Sequence, residues 1–136
     1  MSADDKHSAY IRENGQSAYA VDITASGYDL IGDEPSSMGG GDLGPAPYDF
    51  LTAALGECTV MTIRWYAIQK SWPLEHAAAT VTHQKENGQD VFHKTITITG
   101  DKLTPEQREK LIEVAAKCPV QRSLLATPVI TTDWDV

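Results

Sequence analysis

Cys58 and Cys118 are the residues of this sequence best suited by type and placement to do redox chemistry. Each falls on the apolar face of a predicted helix, Cys58 in the middle of one and Cys118 at the end of another. Two readings are open. Free cysteine is among the most buried residue types, so both can be packed hydrophobes. A redox pair instead needs the sulfurs close, one thiolate stabilised by a cation, and a path for the oxidant. Arg122, four residues after Cys118, and Arg12, in the first predicted hairpin, are the candidate cations. Arg64 follows Cys58 by six residues, about 240° around a helix. It therefore points away, toward the surface or a subunit contact.

Other chemistry is less well supported. In the hairpin around Asn87-Gly88, a two-residue turn pairs His83 with Phe92 and leaves His93 on the opposite face. No Cys-x-x-Cys or His-x-x-x-His accompanies these histidines or His7 and His76, which argues against a metal site. Gly39, Gly41 and Gly44 have G-x-G-x-x-G spacing, but Pro45 and Pro47 interrupt it and Arg64 stands where an acidic partner belongs. We read that stretch as a permissive loop and expect no cofactor. A G-x-S-x-G elbow and a P-loop are both missing from the sequence. The formal charge of −8 disfavours nucleic acid and anionic membrane as partners. The polar, acidic start of the chain reads as no targeting signal, and no apolar run reaches ~18 residues. Two cysteines in such a chain suggest a reducing compartment, so a cytoplasmic protein is expected.

The element that must position Cys58 is one long helix read over the stretch from Gly44 to Pro73. Pro47 suits a first turn, Asp49 lies near the positive end of the helix dipole, and Pro73 forbids continuation. Apolar residues occupy nearly every side of it, and Thr52, Gly56, Thr59 and Ile63 form a seam that another element can approach closely. Before it we expect a disordered lead-in over residues 1–9, a hairpin turning at Arg12–Gly15 into a strand from Ala18 to Thr24, and a strand over Tyr28–Ile31. A turn-rich linker over 32–47 follows. After the helix come strands over Glu75–Gln84 and Val91–Thr99, with Phe92, Ile96 and Ile98 on one face. A helix starts at the Thr104-Pro105-Glu106-Gln107 capping box and carries the stripe Leu111, Val114, Ala115 and Cys118 up to Pro119. A last strand spans Val129–Trp134. The order β-β-β-α-β-β-α-β makes one α+β domain over residues 1–136.

Several of these segments together resemble a known family. They are Gly39-Gly40-Gly41-Asp42, Gly44-Pro45-Ala46-Pro47-Tyr48-Asp49-Phe50-Leu51, Gly56-Glu57-Cys58-Thr59 and Cys118-Pro119-Val120-Gln121-Arg122. The chain resembles the OsmC/Ohr family, the osmotically inducible and organic hydroperoxide resistance proteins, over nearly its whole length. That resemblance implies an intertwined homodimer with paired central helices and thiol peroxidase chemistry. Cys58 would attack an organic hydroperoxide and become a sulfenic acid, Cys118 would resolve it as a disulfide, and an external dithiol, of lipoyl type in the Ohr branch, would reduce that disulfide. Arg12 matches the Ohr-type arginine position, and no arginine lies in Tyr28–Pro35, where the OsmC branch carries one. Tyr48 stands where the Ohr motif has a glutamate, with Asp49 beside it, and Gln121 replaces a frequent histidine. Tyr48, Asp49, Phe50, Met61 and Trp65 are the expected substrate contacts. The rival reading is a small-molecule-binding or stress-associated protein on the same scaffold, without efficient catalysis. A structural dimer with core thiols is the third.

Overall fold

The computed structural model describes residues 6–135, which form five strands and three α-helices. Strands β1 (Ala9–Glu13), β2 (Val21–Ala25) and β3 (Tyr28–Gly32) make an antiparallel sheet in the order β1-β2-β3. Its register stacks Ile11 opposite Ile23 and Ile23 opposite Leu30. Helix α1 (Pro47–Lys70) follows, then the hairpin β4 (His76–Glu86) and β5 (Gln89–Thr99), then α2 (Pro105–Ala115) and α3 (Pro119–Leu125). The α+β class and the long central helix are as expected from the sequence.

The chain forms two compact units, one of residues 54–82 and 93–135 and the other of residues 6–53 and 83–92. In the second unit the first hairpin does not turn where its Asn-Gly pair suggested. Arg12 and Glu13 are strand residues, and the connection runs from Asn14 to Ala20, closed by the Asn14 N–H to the Ala20 carbonyl at 3.1 Å. Side chains serve the polar groups of this loop. Asn14 accepts from the Gln16 N–H and donates to Asp22, and Ser17 donates to Asp33 at 2.9 Å. Of the expected lead-in, residues 1–5 lie outside the described residues and Ala9 already belongs to β1.

The glycine-rich linker is built around one carboxylate. Asp33 is 4 % exposed and accepts from the Ser17 hydroxyl and from the backbone N–H groups of Glu34, Gly41 and Leu43. Burial alone would raise its pKa, but those four donors together hold it below the ordinary carboxylate value. The tight wrap explains two of the glycines. A Cβ at Gly40 would stand 1.9 Å from the Glu34 carbonyl oxygen, and one at Gly44 would stand 2.1 Å from that of Ile31. The loop then delivers Ala46, whose N–H is capped by the Asp49 carboxylate at 2.9 Å, and α1 begins.

In the first unit the core lies between α1, α2 and the base of the β4–β5 hairpin. Ile63, Ala67, Leu74, Leu103, Leu111 and Ala115 form it, with Tyr66, Trp72, Ile96 and Ile98 against them. Gly56 provides the close approach expected of the α1 seam, since a Cβ there would meet Val81 Cγ2 at 3.1 Å. Arg64 corrects its predicted place. Its guanidinium donates to the carbonyls of Leu74 at 2.9 Å and Glu75 at 3.1 Å, tying α1 to the chain entering β4. Arg108 does the same for β5, donating to Ile98 and Gly100, and the Thr104/Gln107 capping box forms as expected.

Two C-terminal features differ from the expected order. Helix α2 stops at Ala115, and Pro119 opens a separate helix, α3, with Cys118 as its N-cap at φ −66°, ψ 152°. Proline suits a first helical position and forces the residue before it into extended backbone, so Pro119 starts a helix here besides ending one. Residues 128–135 form no strand, and Val129, Ile130 and Trp134 are 84–90 % exposed. A strand needs a neighbour to take its ladder hydrogen bonds, and among the described residues none pairs with this segment.

Candidate active site

Cys58 and Cys118 come together in the first unit. The buried face of α1 runs through Leu55, Cys58, Thr59, Ile63 and Ala67, so the helical repeat turns Cys58 and Thr59 inward side by side. The N-cap of α3 brings in Cys118, which is wholly buried, while Cys58 is 7 % exposed. Both are free thiols, and they lie near each other. Cys58 Sγ accepts the N–H of Val120 at 3.4 Å, one of the first-turn donors of α3 that has no partner inside its own helix.

A cation that sequence reasoning missed stands beside the pair. Lys94 on β5 donates from Nζ to the Ala115 carbonyl at 2.7 Å and to Thr59 Oγ1 at 3.0 Å. Thr59 Oγ1 donates its own proton to the Leu55 carbonyl at 2.8 Å and lies 3.6 Å from Cys118 Sγ. Burial pulls the Lys94 ammonium below the ordinary lysine pKa, and negative charge on Cys118 and then Cys58 pushes it back up. At Cys58, burial is the largest influence and raises the thiol pKa. The Val120 N–H lowers it, the neighbouring Cys118 raises it again, and Thr62 lowers it slightly.

The two arginines named from the sequence are placed differently. Arg12 belongs to the second unit, two-thirds exposed, with its guanidinium 3.7 Å from Asp22 across the β1–β2 ladder. Arg122 is exposed on α3, where its N–H bonds the Cys118 carbonyl, and among the described residues its guanidinium forms no ion pair. Met61 and Trp65 are about half exposed, on the side of α1 away from its buried face. In the second unit Asp49 is occupied by its cap on Ala46, and Phe50 lines a cavity of about 640 Å³ with Ile11, Tyr19, Ile23 and Leu30. Tyr48 stacks on His83 at 4.3 Å with the rings 6° from parallel. His83 in turn meets Phe92 at 4.8 Å, the neighbour its turn predicted, and bonds Asp90 at 2.9 Å.

A family model described as OsmC-like protein matches residues 39–133, which contain both cysteines, Lys94 and all three helices. The chain belongs to the OsmC-like family. Solved structures share its fold at low identity. The OsmC-like protein from Mycoplasma pneumoniae aligns with a TM-score of 0.71 at 17 % identity, over 91 % of this chain and 90 % of its own. The organic hydroperoxide resistance protein OhrB of Bacillus subtilis gives 0.63 at 17 %, covering 92 % and 94 %. An organic hydroperoxide resistance protein from Legionella pneumophila gives 0.64 at 19 %, covering 92 % and 93 %. Among curated proteins, none matches this sequence.

For this OsmC-like chain the signal for Lys94 was present in the sequence. Residues 92, 96 and 98 of β5 alternate inward as the apolar face, and position 94 falls on the same face. A lysine there must bury its ammonium against acceptors or leave the strand's pattern. Here the acceptors come from α1 and from the end of α2, elements with no sequence link to β5.

Proposed function

We propose that this protein is a thiol-dependent peroxidase acting on organic hydroperoxides, with Cys58 as nucleophile and Cys118 as resolving thiol. The observation that carries the reading is the pair of buried free thiols brought near each other, one on α1 and one capping α3, with the Val120 N–H of α3 on Cys58 Sγ at 3.4 Å. The family supports it, as do the names of the Bacillus subtilis and Legionella pneumophila proteins that share the fold. The Cys58 thiolate attacks the terminal peroxide oxygen, the O–O bond breaks, and an alcohol leaves, giving Cys58 sulfenic acid. Cys118 displaces the hydroxyl as water and forms the disulfide, which an external dithiol reduces. Arg12 and Arg122 are the arginines proposed to support the thiolate. Tyr48, Asp49, Phe50, Met61 and Trp65 are the proposed substrate contacts, and a reducing, cytoplasmic setting suits two free thiols.

Intact mass after a short stoichiometric pulse of cumene hydroperoxide tests the cycle. Wild type should lose two mass units, and Cys118→Ser should trap a species 16 units heavier. A chain unchanged in both forms would sink the peroxidase reading. It would favour the second one, a binding or stress-associated protein on this scaffold, which the burial of Cys58 also supports.

The proposed assembly is a homodimer. Met61, Trp65 and Ile68 form an exposed apolar stripe on α1, and Val129, Ile130 and Trp134 leave an extended apolar segment open. Sedimentation equilibrium should give twice the 14.8 kDa chain mass. A monomer at micromolar concentration would reject the dimer.

A further inference from the structure

The side chains that meet Cys118 give the two sulfurs unequal surroundings. Cys58 is the cysteine that keeps some exposure, 7 % of the residue, and Cys118 has none. Cys118 has the Thr59 hydroxyl at 3.6 Å, and that hydroxyl already holds the Lys94 ammonium on one lone pair. The Thr59 proton goes to the Leu55 carbonyl, so with both thiols reduced Cys118 S–H is the donor in the Thr59 contact.

Resting on the disulfide cycle above, we propose that Lys94, acting through Thr59, makes Cys118 the leaving group when the Cys58–Cys118 disulfide is reduced. The incoming thiolate of an external dithiol attacks Cys58 Sγ, on the less buried of the two cysteines. A bond forms between the reductant sulfur and Cys58, and the Cys58–Cys118 bond breaks. Its electron pair stays on Cys118 as a thiolate. The Thr59 hydroxyl then turns its proton from the Leu55 carbonyl to that sulfur. Lys94 keeps its hydrogen bonds to Thr59 Oγ1 and Ala115 and polarises the hydroxyl that donates to the Cys118 thiolate. A better-stabilised leaving thiolate departs faster, so the arrangement directs as well as accelerates the exchange. Lys94 is thus a positioning residue of the reductive half of the cycle, and the family motifs around the two cysteines do not contain it.

Diamide, in place of a peroxide, makes the disulfide in wild type, Lys94→Met, Lys94→Arg, Thr59→Val and Thr59→Ser. Its reduction by dithiothreitol is then followed by intact mass. Lys94→Met and Thr59→Val should slow reduction by on the order of tenfold. Lys94→Arg and Thr59→Ser should recover most of the rate, a rescue that lost packing alone would not give. In wild type, a short exposure to 2-mercaptoethanol should leave the mixed disulfide on Cys58, read by peptide mapping; this arm needs no variant to fold. Equal rates in wild type and Lys94→Met, adduct on Cys118, or failure of diamide to join the sulfurs would each overturn the proposal. Inertness toward cumene hydroperoxide with the Lys94 effect intact would remove the peroxidase reading and leave this one standing.

Discussion

Cys58→Ser should lower turnover of cumene hydroperoxide by on the order of a thousandfold or more, because the other thiol at this site, Cys118, is wholly buried. The wild-type rate should also rise with pH in a definite way. The reacting species is the thiolate, and burial pushes the Cys58 thiol above its ordinary value, with the Val120 N–H and Thr62 offsetting only part of that. The sign follows directly: a raised thiol pKa means less thiolate at neutral pH and a rate that still climbs beyond about pH 8.5. The check is kcat/KM for cumene hydroperoxide from pH 6 to 9.5, beside Cys58→Ser and Cys118→Ser. Cys118→Ser should retain the first turnover and lose later ones. A wild-type profile already flat by pH 7 would contradict the environment described for Cys58, and an active Cys58→Ser would reject it as nucleophile.

What the sequence disclosed about this site and what it concealed divide along the range of the interactions. The stripe that turns Cys58 inward repeats every three or four residues, and the Thr104/Gln107 box spans four, so both were legible. So was the β5 alternation. Cys118 was correctly read as buried but assigned to the wrong helix, because Pro119 serves equally as a stop and as a first position. The partners of Lys94 and Asp33 were opaque for another reason. Each of these two residues is a charged side chain whose partners come from segments far along the chain, and no local period encodes that. The turn expected at Arg12–Gly15 failed because side chains of Asn14 and Ser17 stabilise a seven-residue connection from Asn14 to Ala20. The expected last strand lacks a ladder partner among the described residues, and propensity alone cannot supply one.

The other large effect concerns the support beneath the cysteine pair. Leu111→Ala should destabilise the fold by about 2–5 kcal/mol, the range for removing a wholly buried leucine from a core that cannot fully collapse. Leu111 has no exposed surface and lies among Ile63, Ala67, Leu74, Leu103 and Ala115, so the atoms around the void belong to α1, α2 and the segments that join them to the hairpin. Two arginines limit how far those segments can relax, since Arg64 and Arg108 pin α1 to the start of β4 and α2 to the end of β5 through backbone carbonyls. For a domain of this size the loss corresponds to a fall in Tm on the order of 10 °C. Ile112→Ala, one residue along and 45 % exposed, should change stability by no more than about 0.5 kcal/mol. Urea unfolding of the three proteins measures both differences, and equal midpoints for Leu111→Ala and wild type would contradict the core described. The same cavity bears on the chemistry. Ala115, which neighbours Leu111 in this core, supplies the carbonyl that holds Lys94. Slackening α2 therefore loosens the ammonium beside Thr59 and Cys118, and stability and thiol exchange should decline together in Leu111→Ala while Ile112→Ala leaves both in place.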